Sequence, residues 1–290
     1  MGRIVRTISK DAAVVCSAIE ATDIVGEIEK IHETSAVVTA ALGRLAMGTS
    51  LIGFGLKDKD DSVTVRINGE GPVGTLTAVS DSMGNVKCCC DNSVVEIPLK
   101  SNGKLDVGGA VGVNGTITVV KDLGLKEPYV GQTELVSGEI AEDITNYFAV
   151  SEQTPTVCAL GVLVNPDLTV RRAGGFIIQL LPFASDACID VIEKNIAKMS
   201  SVTNLLELGY TAESIAMLAL EGLEPNVLDN FEVSYKCGCS RERTERILYS
   251  LNKKDIAELS QDEVTEVKCH FCKKSYRFSR DEILALLSRK

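Results

Sequence analysis

The chain has 290 residues, 45% of them apolar, enough to bury a substantial core and long enough to divide into more than one folding unit. Its longest apolar stretches, such as residues 176–183, are interrupted by Gln or Pro and fall short of the roughly 18 residues a bilayer-crossing helix needs, so no membrane span is expected. A net charge of −10 argues against a general nucleic-acid binder, because neutralising phosphate takes clustered Lys and Arg.

Near the start, Arg3, Arg6 and Lys10 precede an apolar stretch flanked by Asp11 and broken at Glu20, without a secretory cleavage pattern. A cytoplasmic protein is expected. Residues 2–20 alternate apolar and polar around Lys10-Asp11, which predicts a hairpin, and residues 22–56 read as two helices. Ile24, Ile28 and Ile31 supply one face of the first helix, Ser35 is placed to cap the second, and His32 is expected on a helix surface.

Alternating stretches at 62–67, 73–80 and 86–91 form a meander. Further strands are expected at 116–121 and 130–137, then a helix over 139–150 and strands at 156–164 and 168–180. From 185 to 229 the pattern changes to short helices punctuated by Gly209 and Gly222, with Pro225 after them. The last segment carries a Cys pair, a helix over 241–251, a second short helix, a strand into Cys269, a strand at 275–278 and a final helix. Ser279 with Glu282 predicts a capping box there. The expected fold class is α+β: an N-terminal β-sheet domain with helices over 1–182, a helical linker region over 183–231, and a small zinc-binding domain over 232–290.

Chemistry concentrates at Cys237-Gly238-Cys239 and Cys269-His270-Phe271-Cys272, two pairs separated by 29 residues. In a reducing compartment, grouped cysteines point to metal or redox chemistry, and four thiolates suit a closed tetrahedral Zn²⁺ site. Gly238 is expected to let the chain turn tightly between the two thiols. His270 sits inside the C-x-x-C loop and competes poorly with Cys272 as a ligand. Residues 231–290 hold 13 Lys and Arg against 10 Asp and Glu, a local +3 that leaves −13 for the rest of the chain. Lys236, Arg241, Arg243, Lys268, Lys273 and Lys274 flank the cysteines, and cations together with a helix N-terminus favour thiolate.

Spacing by itself points first to a structural zinc site. A switch is the second reading: oxidation to disulfides removes the ligands, and in a small domain metal binding supplies most of the folding free energy. Cys16 and Cys158 lie in apolar strand patterns as inert core thiols, and Cys88, Cys89 and Cys90 occupy one strand with neighbours on opposite faces. Residues 69–74 match G-x-G-x-x-G, yet the residues after them alternate as a strand where a dinucleotide site needs a helix. There is no Walker phosphate loop and no G-x-S-x-G motif, so no nucleotide and no catalytic residue is expected.

These residues resemble the heat shock protein 33 family, redox-regulated bacterial chaperones also called 33 kDa chaperonins. The likeness runs over essentially the whole chain, through ALGRL (41–45), LDVGGAVG (105–112), VSGEIAEDITNYFAVSEQTP (136–155) and AGGFIIQLLP (173–182). It implies an ATP-independent holdase, not an enzyme, that binds unfolding client proteins and prevents their aggregation. The reduced form would be inactive, with one Zn²⁺ held by Cys237, Cys239, Cys269 and Cys272. Oxidation would form Cys237-Cys239 and Cys269-Cys272 disulfides, release zinc, disorder the zinc domain and linker, and yield an active homodimer. Cys88 to Cys90 fall outside the family motif. The competing readings are a zinc-ribbon module that binds nucleic acid through the basic tail, disfavoured by the acidic body, and a thiol oxidoreductase, which would want its C-x-x-C beside a βαβ unit.

Overall fold

The structure is a computed structural model that describes residues 1–182 and 184–288. Residue 183, where the expected linker begins, and residues 289 and 290, at the end of the expected zinc domain, lie outside the described residues. The chain forms two compact units, Met1–Lys236 and Cys237–Lys290.

The first unit opens with the expected hairpin, β1 (Gly2–Ile8) and β2 (Val14–Glu20), followed by α1 (Thr22–His32) and α2 (Ala36–Gly53). The meander comes next as β3 (Ser62–Asn68), β4 (Leu76–Asp81) and β5 (Val86–Cys90). After it come α3 (Val107–Val111), β6 (Thr116–Asp122), β7 (Tyr129–Glu134), α4 (Ala141–Val150), β8 (Thr156–Val164) and β9 (Val170–Leu180). Three helices, α5 (Asp186–Lys198), α6 (Val202–Glu207) and α7 (Ala212–Ala219), lead to β10 (Asn226–Val233). The strands make two antiparallel five-stranded sheets, ordered β10-β1-β2-β9-β8 and β5-β4-β3-β6-β7.

Between the sheets lies α2, apolar on nearly every side and almost wholly buried. Among the described helices it alone is long and apolar enough to cross a membrane, and here it serves as the core helix. Ser35 stands at its N-cap position, but the hydroxyl donates to the Val95 carbonyl (2.9 Å) and accepts from the Val95 N–H (3.0 Å) instead of capping the helix.

The first sheet buries both faces. One side, with Ile4 and Ile19, joins the α2 core. The other carries Val5, Val14, Cys16, Ala18, Phe176 and Ile178, and these pack under Ile192, Val202, Leu205, Leu206, Ile215 and Leu220 from the segment of α5 to α7. Polar ties fix that segment at its margins. Glu207 pairs with Arg171 and Arg172, Lys10 with Glu224 (2.7 Å), and the Ala212 N–H donates to Glu20 (3.3 Å).

Three loop stretches owe their conformations to local physical causes. In LDVGGAVG, Asp106 caps α3 by accepting from the Gly109 N–H at 3.0 Å. Gly69 and Gly112 let two loop backbones touch, since a Cβ on Gly69 would lie 2.2 Å from the Gly112 carbonyl oxygen. In VSGEIAED, buried Asp143 accepts backbone N–H groups from Val136 (2.8 Å), Ser137 (3.1 Å) and Ile140 (2.9 Å), which holds Ile140 at a φ of 72°. The G-x-G-x-x-G run is the loop into β4, as its alternation predicted.

Glu139 gathers the same region, accepting from Lys100, from Arg44 (2.5 Å) and from the Gly108 N–H (3.2 Å). Burial would push its carboxyl up, but the hydrogen bonds from Lys100 and Arg44 outweigh burial and hold it below the ordinary carboxylate range. A lowered folded-state value means stabilisation fully present above the unfolded value of about 4.3 and lost as pH falls through the folded one. Glu139→Gln should therefore cost about 1.5–3 kcal/mol near neutrality, with the deficit shrinking under acid, as urea melts at several pH values would record.

The structure corrects two expectations about this unit. His32 is 5% exposed, not on a surface. It lies four residues after Ile28, so it takes the buried place on the Ile24 and Ile28 stripe that Ile31 was expected to fill. The second difference is β10, where 226–233 pair along β1 from Gly2↔Val233 to Ile8↔Asn226.

Candidate metal centre

The second unit is built from α8 (Arg241–Ser250), α9 (Lys253–Leu259), β11 (Val264–Lys268), β12 (Ser275–Ser279) and α10 (Arg280–Ser288). A two-stranded antiparallel sheet pairs β11 with β12, and its buried core is Leu248, Ile256, Tyr276, Phe278, Ile283 and Leu286. The helices start where their caps dictate. Ser240 accepts from the Arg243 N–H (3.2 Å) and Asn252 from the Asp255 N–H (2.9 Å). The expected capping box is present: Ser279 N–H donates to Glu282 (2.8 Å) and Glu282 N–H to Ser279 Oγ (3.4 Å).

This frame brings the four cysteines together. The ligand atoms of Cys237, Cys239, Cys269 and Cys272 all lie within 4.8 Å of one another, and the cluster could hold a metal ion. The shortest approaches are Cys239 to Cys272 at 3.3 Å and Cys237 to Cys269 at 3.7 Å. Cys237 and Cys239 arrive just before α8, while Cys269 and Cys272 occupy the β11–β12 turn. That turn is closed by Cys269 N–H to the Lys274 carbonyl and Lys273 N–H to the Cys269 carbonyl, both 2.9 Å, with Lys273 at a φ of 58°. His270 is exposed and outside the cluster.

Gly238 is not demanded by its surroundings. A Cβ there would meet only Arg243 Nη1, at an ordinary 3.6 Å, and its backbone is not left-handed. The C-x-C pair converges without the tight turn expected from sequence.

Tyr276 is the site residue that spacing arguments missed. Its hydroxyl donates to Cys239 Sγ at 3.1 Å. Burial pushes the Cys239 thiol up, but hydrogen bonds from Tyr276 and then from the neighbouring thiols overcome it and bring the value down to about 7. Cys272 is pushed up to about 12, by burial first and by its bonds to the other thiols next. Cys239 is thus poised to ionise ahead of Cys272. The signal for Tyr276 lay in the alternation of SYRFS, which turns Tyr276 and Phe278 inward together. Tyr276→Phe, which removes that donor, should make the zinc-loaded protein give up its metal at a higher pH on acidification, measured with a chromogenic chelator.

The other singled-out cysteines belong to the first unit and are not members of this cluster. Cys16 is fully buried and Cys158 packs on the core, and burial pushes both thiols far up. In β5, Cys88 is fully buried and Cys90 packs against the same core, so Cys89 takes the opposite face, as strand alternation requires.

A two-sheet α+β body is followed by a small unit bearing a tetrathiol cluster, and comparison with known proteins gives the family. The family model described as Hsp33 protein matches residues 2–279. The 33 kDa chaperonin of Clostridioides difficile (strain 630) is 50% identical over 264 residues, covering 91% of this chain and 90% of that protein. The 33 kDa chaperonin of Lachnoclostridium phytofermentans is 46% identical over 99% of this chain and 98% of that protein. The crystal structure of the 33 kDa chaperonin (Heat shock protein 33 homolog) of Thermotoga maritima superposes with a TM-score of 0.91 at 36% identity, covering 99% and 98% of the two chains. This chain belongs to the Hsp33 family and is a chaperone.

Proposed function

We propose that this chaperone is an ATP-independent cytoplasmic holdase switched on by thiol oxidation, with no catalytic step of its own. In the reduced state Cys237, Cys239, Cys269 and Cys272 hold one Zn²⁺. A tetrahedron of Zn–S bonds of about 2.3 Å has edges of about 3.8 Å, and the 3.7 Å between Cys237 and Cys269 supports that fit.

Oxidation removes the ligands two at a time. In the folded state the shortest approaches run across the two motifs, Cys239 to Cys272 and Cys237 to Cys269. The family resemblance supports Cys237-Cys239 and Cys269-Cys272 as the disulfides formed once the unit loosens. Zinc leaves with its thiolates, and the unit that depended on it unfolds.

The observation that carries this reading is the apolar interface between α5 to α7 and the first sheet. Helices this short draw their stability from docking. Released, they and the sheet face they cover would both present apolar surface to an unfolded client. We assign 1–182 as the core, 183–231 as the linker and 232–290 as the switch. Compactness divides the chain slightly later, after Lys236, because residues 232–236 remain attached to the first unit. The family resemblance supports a homodimer as the active form.

The test is to treat zinc-loaded protein with peroxide at elevated temperature and monitor zinc release alongside light scattering from an aggregating client. Zinc release with suppressed scattering is expected. Release that leaves the scattering unchanged would sink the switch.

A further inference from the structure

The chain enters the four-cysteine unit by way of the edge of the second sheet. After β10 ends at Val233, residues 234–236 run alongside β5 and form a parallel bridge, Val86↔Tyr235. Val86 N–H donates to the Ser234 carbonyl (3.1 Å), and Lys236 N–H donates to the Val86 carbonyl (2.9 Å). Asn85 Oδ1 accepts from both the Ser234 N–H (3.2 Å) and the Ser234 hydroxyl (3.1 Å). Cys237 is the next residue.

β5 ends the sheet order on this side, with β4 as its paired neighbour. In an antiparallel ladder alternate residues turn both backbone groups towards the neighbour, and the residues between turn theirs away. Val86 bonds outward to residues 234–236, so the Cys88 backbone also faces outward. At Cys88 the bridging segment supplies a side chain where a strand would supply backbone. The Tyr235 hydroxyl donates to the Cys88 carbonyl (3.0 Å), accepts from the Cys88 N–H (3.4 Å) and lies 3.4 Å from His32 Nε2. The edge is therefore held by two backbone bonds at Val86 and one phenol at Cys88, a short cover for a strand whose Val86 and Cys88 are buried.

We propose that the edge of β5 is a docking site for an extended segment of an unfolded polypeptide, and that residues 234–236 occupy it until the four-cysteine unit lets go. This rests on the holdase reading above. A sheet edge recognises backbone, so it takes a strand of almost any sequence, which is the chemistry a chaperone for unrelated clients needs. That the edge accepts an extended chain is seen in the seated segment itself. An incoming strand along β5 could bond both Val86 and Cys88 through backbone, where the resident segment meets Cys88 with a side chain. Coupling to the thiol cluster is covalent, through the peptide bond between Lys236 and Cys237.

Amide hydrogen exchange tests this on the full chain, in three states: zinc-loaded and reduced, oxidised, and oxidised with reduced, carboxymethylated α-lactalbumin as the unfolded probe. The Val86 and Cys88 amides should be protected in the first state, exchange at least about tenfold faster in the second, and regain protection in the third. Tyr235→Phe, zinc-loaded, should speed exchange at Cys88 by about tenfold; if that variant does not fold, the wild-type series decides alone. Protection that survives oxidation, or that the probe fails to restore, overturns the site. Protection that returns without the probe and grows with protein concentration also overturns it, in favour of a second copy of this chain. If the oxidised protein suppresses aggregation yet β5 is not reprotected, the β5 site falls and the holdase reading stands. If it suppresses no aggregation, the holdase reading falls and the β5 site with it.

Discussion

Stripping the metal from the zinc-loaded protein with a chelator should unfold residues 237–288 and loosen α5 to α7, and leave the α2 core folded. The second unit buries only six apolar side chains among its described residues and pairs only two strands. A core of that size rarely supplies more than about 3–5 kcal/mol, whereas binding a structural Zn²⁺ supplies roughly 10–16 kcal/mol in comparable small domains. The balance lies with the metal. The α2 core lies between two five-stranded sheets and owes nothing to the cluster's thiols. Chelation followed by circular dichroism should show a partial loss of helix, with a thermal transition remaining for the first unit. Cys269→Ser should behave as a permanently weakened version, binding zinc less tightly because one of four thiolates is gone. Wild-type zinc affinity in that variant would count against the ligand set.

Ile215→Ala should partly activate the reduced, zinc-loaded protein. Ile215 is fully buried in α7, an eight-residue helix, within the apolar layer that covers Val14, Cys16 and Phe176. Truncating a buried Ile to Ala costs about 2–5 kcal/mol. If that loss falls on docking, the released population rises by on the order of a hundredfold. Val63→Ala is the matched control, because Val63 is equally buried but belongs to the α2 core. It should lower overall stability without suppressing client aggregation. Light scattering with zinc content measured in parallel separates the two: activation by Ile215→Ala must appear while zinc is still bound.

Elements that bury one face were legible in the sequence, because alternation and helical spacing record burial directly. The meander and α4 obey that rule. α3 was hidden because Val107-Gly108-Gly109-Ala110-Val111 carries two glycines and reads as loop. β10 was hidden for a different reason. Val227, Leu228 and Phe231 are exposed along an edge strand, so NVLDNFEV lacks the alternation of a half-buried strand, and its partner β1 lies at the other end of the chain.

At the candidate metal centre, the four cysteines were legible from spacing because metal ligands must converge whatever the fold. Tyr276 was not, since only the inward face of β12 brings its hydroxyl to Cys239. Tyr235 could not be read locally, because its contact with His32 spans 203 residues, whereas the buried place of His32 follows from its position four residues after Ile28. The tetrathiol was visible as chemistry, but its connection to the rest of the chain required the fold.

Hydrogen exchange across α5, α6 and α7, in the zinc-loaded protein and after oxidation has released the metal, tests the central claim most directly. Amides protected at 186–219 in the reduced state should lose protection together with zinc, while β3 and β6 in the α2 core stay protected. Helices that remain protected in an oxidised, zinc-free protein that already suppresses aggregation would contradict that claim.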